Sequence, residues 1–321
     1  MADLHNPKFS LIVPVYGVEA YIADCLDSII GAEGFVEYCE LIVIDDGSPD
    51  DSMAIVDERC AGLTNVTIIR QTNAGLGAAR NVGLDRATGD YVWFIDSDDE
   101  ICADAISVLA QCVQRLRPDI IAFEFATIGD TLGRPDYLAV YDQNVDPVRF
   151  MTSGRPPSPV QFYAFSRDLI EQEKLRFERG IYHEDALFSA IAMVRAVSLV
   201  RLRDTCYRYR LRPGSIMSLA RPKKHLDDML IIAEKLGAHA ATDSITRAGR
   251  GALAREIGFA LAAAWYYAIR TEPEDRRRIA PLSRLAALGR PWWRHFPLRA
   301  LVNYSRLLGM VALRDGQGPL R

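Results

Sequence analysis

Three carboxylates crowd the end of an apolar run in the first third of the 321-residue chain: Asp96, Asp98 and Asp99. Carboxylates this close repel each other unless a positive charge is bound. Oxygen ligands favour Mg2+ or Mn2+ over zinc, and these ions keep positions open for substrate phosphates. The sequence therefore predicts a metal held by Asp96 and Asp98 that bridges a diphosphate, with Asp99 as a further contact. A solvated acidic turn that caps the next helix is the alternative interpretation.

A second acidic segment, residues 45–50, follows an earlier apolar run and contains the pair Asp45 and Asp46. One aspartate is enough to cap the helix that follows. The other carboxylate is then available to accept hydrogen bonds from a base or a ribose. We therefore predict that Asp46 binds a nucleotide, and a helix cap without any ligand is the alternative.

A glycine-rich segment, residues 73–83, leads into a helix and contains Arg80. Its spacing differs from Gly-x-Gly-x-x-Gly, and the acidic strand end comes before it instead of after it, so a dinucleotide site is not indicated. Close packing of a helix against the nucleotide loop is the simpler interpretation. We count Arg80 among the nucleotide-binding residues, where it contacts either a phosphate or an acidic loop.

A third acidic pair, Glu184 and Asp185, follows His183 at the start of a helical pattern. Carboxylates in a first turn also stabilise a helix through its dipole, so a purely structural role is one interpretation. If this turn faces the donor site, Asp185 can take the proton of an attacking hydroxyl as a general base. His183 and Glu184 are then candidate contacts to the diphosphate or the acceptor.

The first 130 residues alternate β-rich runs with helical patterns, which predicts an α/β fold with a mainly parallel sheet flanked by helices. The expected strands are residues 10–16, 40–45, 66–70, 91–96 and 120–126, and the expected helices are residues 20–30, 51–60, 76–87 and 103–115. Ligands bind outside the carboxyl ends of such strands, where both acidic segments fall. We therefore expect these segments to converge on one edge of the sheet.

Three parts of the chain are expected. Residues 1–130 form the α/β part with the predicted nucleotide and metal sites, and residues 131–220 form a second part of the same domain, with a proline-rich boundary at 155–159. Residues 221–321 form a helical C-terminal extension whose tail, from about residue 281, is basic and aromatic. Residues 281–314 suit peripheral contact with an anionic membrane, and a helical pair packed on the domain is the alternative.

Charge and composition exclude several classes of protein. The formal net charge is −4 and the sequence pI is about 5.8, which argues against a nucleic-acid partner. Six scattered cysteines suggest neither a disulfide framework nor a zinc site. The amino terminus lacks the pattern of a secretory signal and the apolar stretch 258–269 is too short to span a bilayer, so a cytoplasmic protein is expected.

Five motifs, taken in this order, resemble the family 2 glycosyltransferases of the GT-A fold, which build bacterial cell-surface polysaccharides. They are Pro14-Val-Tyr16, Asp45-Asp-Gly-Ser48, Asn73-Ala-Gly-Leu-Gly-Ala-Ala-Arg-Asn-Val-Gly83, Asp96-Ser-Asp-Asp99 and Glu184-Asp185. The resemblance covers about residues 8–220, and it implies that residues 1–130 bind the nucleotide sugar and residues 131–220 the acceptor. It implies a uridine pocket lined by Pro14, Tyr16 and Asp46, a metal on Asp96 and Asp98, and Asp185 as the catalytic base. It also implies that Arg210, Arg212 and Ser215 hold the leaving diphosphate.

The resemblance implies an inverting transfer of a sugar from a nucleoside-diphosphate donor, expected to be a UDP-sugar, to the hydroxyl of a saccharide or lipid-linked saccharide. Mn2+ or Mg2+ is the expected cofactor, and the inner face of the cell membrane is the expected place of action. A sugar nucleotidyltransferase is a rival, although it requires a glycine-rich basic loop after the first strand, where this chain has residues 14–19. A scaffold that binds nucleotide sugars without turnover is the other rival.

Overall fold

The computed structural model describes residues 8–128, 140–154, 156–211, 221–268 and 270–271. Contacts divide the chain into two compact units. The first comprises residues 1–180 and 184–213, and the second comprises residues 181–183 and 214–321. The first unit therefore contains both acidic segments and Asp185, and the second contains His183.

The first unit alternates strands and helices along its length. Its strands are β1 (Phe9–Val15), β2 (Cys39–Asp45), β3 (Val66–Arg70), β4 (Tyr91–Phe94), β5 (Glu100–Ile101), β6 (Ile120–Ile128), β7 (Asn144–Val145), β8 (Tyr163–Ser166) and β9 (Leu199–Arg210). Its helices are α1 (Ile22–Ile30), α2 (Phe35–Tyr38), α3 (Ser52–Arg59), α4 (Leu76–Arg86), α5 (Ala105–Leu116), α6 (Pro147–Thr152), α7 (Arg167–Gln172) and α8 (Glu184–Arg195), with a 3-10 turn at Val160–Phe162.

The predicted α/β architecture is confirmed, with helices between most strands of a single twisted sheet. The strand order is β3-β2-β1-β4-β8-β6-β9-β5, and β7 pairs with β9. Strands β1 to β4 pair only in parallel with one another. All seven residues of β1 are buried, as expected for a strand covered on both faces. Four of the expected strands shift by one or two residues at an end, and β3 matches its predicted bounds.

The sheet order explains why the two acidic segments are neighbours. Strand β1 lies between β2 and β4, so the loops that follow β2 and β4 flank the loop that follows β1. Gly47 lies in the loop after β2 with φ +70, and a Cβ there would lie 3.0 Å from the backbone nitrogen of Asn73. Glycine therefore allows the loops after β2 and β3 to approach each other.

The parallel prediction does not extend through the whole sheet. Strand β8 pairs antiparallel with both β4 and β6, while β6 and β9 pair in parallel. Aromatic rings pack across this region, and the Tyr207 ring centroid lies 6.3 Å from that of Trp93 and 5.6 Å from that of Phe162. A cluster of packed aromatic rings thus lies next to the acidic loop that follows β4.

In the second unit, helices α9 (Pro222–Ala240) and α10 (Arg247–Ala268) pack against each other. Apolar residues on both helices are buried, including Leu226, Ile232 and Leu236 on α9 and Leu253 on α10. The expected helical C-terminal region is therefore present in its described part. Among the described residues, no helix combines the length and the apolar character that crossing a membrane requires.

Candidate active site

The first acidic loop, residues 45–50, is held together by its own carboxylates. Asp46 is 3% exposed and accepts hydrogen bonds from the Gln71 side chain (2.7 Å), the Ala74 backbone nitrogen (2.8 Å) and the Gly75 backbone nitrogen (2.9 Å). Asp45 accepts one from the backbone nitrogen of Ser48 at 2.8 Å. Both members of the pair therefore organise the loops, and Asp46 fixes the segment that leads into α4.

Asp50 closes this loop onto the next helix. Its Oδ1 accepts hydrogen bonds from the Ser48 and Ser52 hydroxyls (2.7 and 2.6 Å), and its Oδ2 accepts one from the Glu19 backbone nitrogen (3.0 Å). Desolvation opposes ionisation, but these hydrogen bonds outweigh it and lower the pKa of Asp50 to about 2. Asp50 also accepts a hydrogen bond from the backbone nitrogen of Ser52, the first residue of α3, at 3.2 Å, while the N-cap residue Asp51 makes no side-chain cap within this described segment.

The second acidic loop, residues 96–100, begins two residues after β4. Burial first, and then repulsion from Asp96 and Asp98, raises the pKa of Asp99 to about 8. Burial is also the largest cause of the raised pKa of Asp96, where Asp98 acts in the same direction and Arg80 opposes both. Burial and the neighbouring Asp98 therefore oppose the ionisation of both Asp96 and Asp99.

Arg210, at the end of β9, wraps around this loop. Its backbone nitrogen donates to Asp99 at 2.7 Å, and its Nε donates to the backbone oxygen of Asp98 at 3.0 Å. Its Nη2 donates to Glu100 at 2.6 Å and to Asp24 at 3.0 Å. The structure thus gives Arg210 a role in shaping the loop, beside the predicted contact to a diphosphate.

Tyr207 is a site residue that sequence reasoning missed. Its hydroxyl donates to Asp99 Oδ2 at 2.7 Å and accepts from the Asp96 backbone nitrogen at 3.1 Å. The side chain is fully buried, and desolvation followed by the Asp99 charge raises its pKa well above the ordinary value, so it stays a donor. Nothing in the local sequence distinguishes it from Tyr209, which lies two residues later on the same strand.

Arg80 lies inside the protein, where it pairs with two carboxylates. Its side chain is 2% exposed, its Nη2 donates to Asp96 Oδ1 at 2.7 Å, and its Nη1 donates to Glu184 Oε1 at 2.7 Å. Burial raises the pKa of Glu184 to about 7 despite the attraction of Arg80, and Asp185 adds to the increase. Of the two roles considered for Arg80, the structure shows the contact with an acidic loop.

Asp185 lies in the first turn of α8, as predicted. The side chain is half-buried, and its Oδ1 accepts a hydrogen bond from the Ala186 backbone nitrogen at 2.8 Å. Glu184 beside it is 4% exposed and faces Arg80. The two carboxylates therefore differ: Glu184 points into the protein, whereas Asp185 is partly accessible to solvent.

His183 belongs to the second unit, where its Nε2 lies 2.9 Å from Nδ1 of His225. Its φ is +61, an uncommon conformation for a residue other than glycine. The backbone nitrogen of Tyr182 donates to Asp228 at 2.8 Å, which fixes the same short segment. The structure thus shows His183 held by another histidine, and its predicted contact to a diphosphate or acceptor stays a prediction.

Two of the three residues expected to line a uridine pocket, Pro14 and Asp46, are buried, and the third is exposed. Pro14 is buried within β1, while Tyr16 directly after the strand is 52% exposed. An aromatic ring exposed at the carboxyl end of a central strand has a free face for stacking. Arg212, Ser215 and residues 281–314 lie outside the described residues.

The donors present fit a divalent cation that also binds a substrate. Among the described residues, no three His, Cys, Asp or Glu side chains form a ready-made metal cage. Mg2+ and Mn2+ sites in nucleotide-dependent enzymes commonly take one or two carboxylates and complete their shell with substrate phosphates and water. Asp96 and Asp98 supply oxygen ligands of this kind at the sheet edge where ligands of α/β proteins bind.

Residues 10–171 match Glycosyl transferase family 2, and the chain belongs to that family. GlyA, a glycosyltransferase of Streptococcus pneumoniae serotype 4, is 33% identical over 224 residues, which cover 66% of this chain and 32% of GlyA. EpsH, a putative glycosyltransferase of Bacillus subtilis, is 33% identical over 227 residues, which cover 67% of this chain and 64% of EpsH. This chain therefore matches less than two thirds of the length of either relative.

TarS of Staphylococcus aureus, a poly(ribitol-phosphate) beta-N-acetylglucosaminyltransferase, is 28% identical over 236 residues, covering 71% of this chain and 40% of TarS. The structure of TarS 1–349 with UDP-GlcNAc has a TM-score of 0.69 at 24% identity and covers 91% of this chain and 82% of that chain. The mannosyltransferase PcManGT of Pyrobaculum calidifontis, solved with GDP-Man and Mn2+, has a TM-score of 0.56 at 17% identity and covers 94% and 87%. These likenesses confirm the GT-A type of fold.

Proposed function

We propose that this protein transfers a sugar from a UDP-sugar to an acceptor hydroxyl with inversion at the anomeric carbon, in the synthesis of a cell-surface polysaccharide. The observation that carries the proposal is the sheet edge where the first acidic loop, which Asp46 organises, lies near the second acidic loop, which contains Asp96 and Asp98. Residues 10–171, which match family 2, contain both loops. Relatives that act on poly(ribitol-phosphate) and a fold neighbour bound to UDP-GlcNAc support the substrate classes.

In the proposed reaction, the acceptor hydroxyl oxygen forms a bond to the anomeric carbon while the bond from that carbon to the diphosphate oxygen breaks. The electron pair leaves with the diphosphate, and the hydroxyl proton passes to the Asp185 carboxylate. Asp46 keeps the base-binding loop in shape, and Tyr16 offers a ring for the base. When bound, Mn2+ or Mg2+ on Asp96 and Asp98 supplies positive charge to the leaving diphosphate.

The acceptor and the place of action are proposed from chemistry and relatives. A saccharide, free or lipid-linked, is the acceptor class, and two relatives named as poly(ribitol-phosphate) glycosyltransferases support a polyhydroxylated acceptor. For residues 281–314, peripheral contact with an anionic membrane rests on the sequence alone, where arginines and aromatic residues alternate. Sedimentation with phosphatidylglycerol vesicles, compared with phosphatidylcholine vesicles, tests this contact.

The proposal is tested by calorimetry with a panel of UDP-sugars in Mn2+, Mg2+ or chelator, followed by turnover of the donor that binds. We expect Asp185→Asn to keep donor affinity within about threefold and to lose about a thousandfold in transfer, the range of a general base. Proton NMR of the product reports the anomeric configuration. Conversion of the UDP-sugar and added pyrophosphate to UTP and sugar 1-phosphate would indicate a nucleotidyltransferase, and binding without turnover would indicate a scaffold.

A further inference from the structure

The contacts of α4 reach both ends of the proposed reaction centre. At its start, the backbone nitrogens of Ala74 and Gly75 are held by Asp46. One turn into the helix, Arg80 reaches Asp96 and Glu184. Helix α4 and the residues just before it therefore contact the first acidic loop, the second acidic loop and the first turn of α8.

Small residues on α4 make this close approach possible. A Cβ on Gly77 would lie 2.6 Å from the backbone oxygen of Glu178 and 3.2 Å from Cγ of Glu184. Gly77 lies three residues before Arg80 and so shares a face of the helix with it. Asn81 adds two buried hydrogen bonds, donating to the Phe177 oxygen at 2.9 Å and accepting from the Phe177 nitrogen at 2.8 Å.

The Arg80 guanidinium uses both terminal nitrogens for groups inside the protein, and its Nε is buried without a hydrogen-bond partner among the described residues. Two of its nitrogens contact two different carboxylates at 2.7 Å, and the group lies over the Phe177 ring at 5.3 Å. At 2% exposure it has no surface left to offer a phosphate. The planar fork of an arginine can contact two carboxylates at once, which a lysine ammonium does less well.

We propose that Arg80 is a positioning residue of this transferase: it braces Asp96 of the second acidic loop against Glu184 and thereby sets where the neighbouring Asp185 stands relative to the diphosphate end of the site. This rests on the proposed function and replaces the predicted contact of Arg80 with the nucleotide. Glu184, likewise, acts as an anchor for the first turn of α8 in place of the predicted ligand contact.

The test compares Arg80→Lys with a matched control, Arg201→Lys. Arg201 is also a buried arginine, with its Nε 2.9 Å from Glu124 and a side chain that is 5% exposed. It lies six residues before Tyr207 on β9, and its partner Glu124 lies on β6 and belongs to neither acidic loop. Both substitutions weaken a buried ion pair, so both lower the melting temperature, but only one pair belongs to the brace.

For Arg80→Lys we expect kcat to fall about a hundredfold while the donor KM changes less than about threefold, since misplacement by about 1 Å costs rates of this order. For Arg201→Lys we expect kcat within about twofold of the wild type. Equal losses of kcat in the two variants would reduce Arg80 to a purely structural role and overturn the proposal.

Amide hydrogen exchange supplies a readout that needs no activity. Arg80→Lys should speed exchange in residues 94–101 and in residues 184–190, whereas Arg201→Lys should spare both segments. Glu184→Gln keeps the shape and one acceptor oxygen, and should speed exchange only in residues 184–190. Unchanged exchange at both segments in Arg80→Lys would refute the brace. Failure of the wild type to bind UDP with Mn2+ would instead refute the proposed function, and the exchange result would still decide the brace.

Discussion

The two acidic loops look alike in the sequence and differ in how their charges are balanced. In the first acidic loop, backbone nitrogens, an amide and hydroxyls hold the carboxylates of Asp45, Asp46 and Asp50, and the pKa of Asp50 falls to about 2. In the second acidic loop, burial and mutual repulsion raise the pKa of Asp99 to about 8. Hydrogen bonds stabilise the ionised carboxylates of the first loop, whereas burial and mutual repulsion oppose ionisation in the second.

The comparison separates two meanings of a cluster of aspartates. Carboxylates that accept several hydrogen bonds from the backbone contribute to folding, because the ionised form is stabilised in place. Carboxylates packed beside each other oppose folding until a counter-charge binds, because each ionised group raises the cost of ionising the next. Removing a carboxylate should therefore lower stability in the first loop and raise it, or leave it unchanged, in the second.

The largest expected effect is on the stability of the first loop. Asp46→Ala removes the acceptor of three hydrogen bonds and leaves the donors on Gln71, Ala74 and Gly75 to find water. We expect the free energy of unfolding to fall by about 3 kcal/mol, since hydrogen bonds to charged groups contribute about 1.5–3 kcal/mol each and are not additive. Urea denaturation measures it, and equal loss with and without Mn2+ is expected. A loss below about 1 kcal/mol would contradict the account of this loop.

The second expected effect is on binding in the second loop. Asp98→Asn removes one charge from the cluster, and we expect the affinity for UDP in Mn2+ to fall about a hundredfold, which is about 2.7 kcal/mol. Calorimetry measures the affinity. The matched control is Asp57→Asn, because Asp57 pairs with Arg70 on the exposed surface of α3 and β3. Equal affinity in Asp98→Asn and the control would contradict the metal assignment.

A smaller effect is expected at the hydroxyl that links two residues of the second loop. Tyr207→Phe deletes the donor to Asp99 and the acceptor for the Asp96 nitrogen. We expect the free energy of unfolding to fall by about 1.5 kcal/mol, and the UDP affinity to fall in addition. Tyr91→Phe is the control, since its buried hydroxyl donates to the Pro118 oxygen at 2.7 Å. If both variants bind UDP equally well, Tyr207 does not shape the site.

The smallest effect concerns pH and the first loop. Asp50 has a pKa of about 2 in the folded protein, and an unperturbed aspartate has a pKa of about 3.9. A lowered folded pKa means that the stabilisation is present above about pH 4 and is lost as the pH falls towards 2. Asp50→Asn weakens these hydrogen bonds and should therefore cost about 1 kcal/mol at pH 6, and a small part of that near pH 2. A difference from the wild type that stays constant across this range would contradict the assignment.

The strands and helices of residues 1–130 were predicted from the sequence, because the strands are continuous apolar runs that end in polar loops. Strand β3 and helix α4 begin where the pattern predicts. Strand β8 was harder to predict from the sequence, because it has only four residues between a 3-10 turn and a helix, and so short a strand shows little periodicity. Its antiparallel insertion between β4 and β6 depends on pairing across the sheet, which no local pattern reports.

The sequence indicated which residues belong to the candidate site, but it did not indicate most of the contacts between them. The acidic segments were found because carboxylates at strand ends are unusual, and the sheet order places both beside β1. Contact of Arg80 with an acidic loop was one of its two predicted roles, but its second partner could not be foreseen, since Glu184 lies 104 residues further along the chain. The role of Tyr207 was hidden for the same reason, because its partner Asp99 lies 108 residues before it.

The most direct test of the account is the melting temperature of the wild type and of Asp98→Asn, each measured in chelator and in Mn2+ with UDP. We expect Asp98→Asn to be at least as stable as the wild type in chelator, because one repelling charge is gone. We also expect Mn2+ with UDP to raise the melting temperature of the wild type alone. A variant that is less stable in chelator and is still stabilised by Mn2+ with UDP would contradict the account.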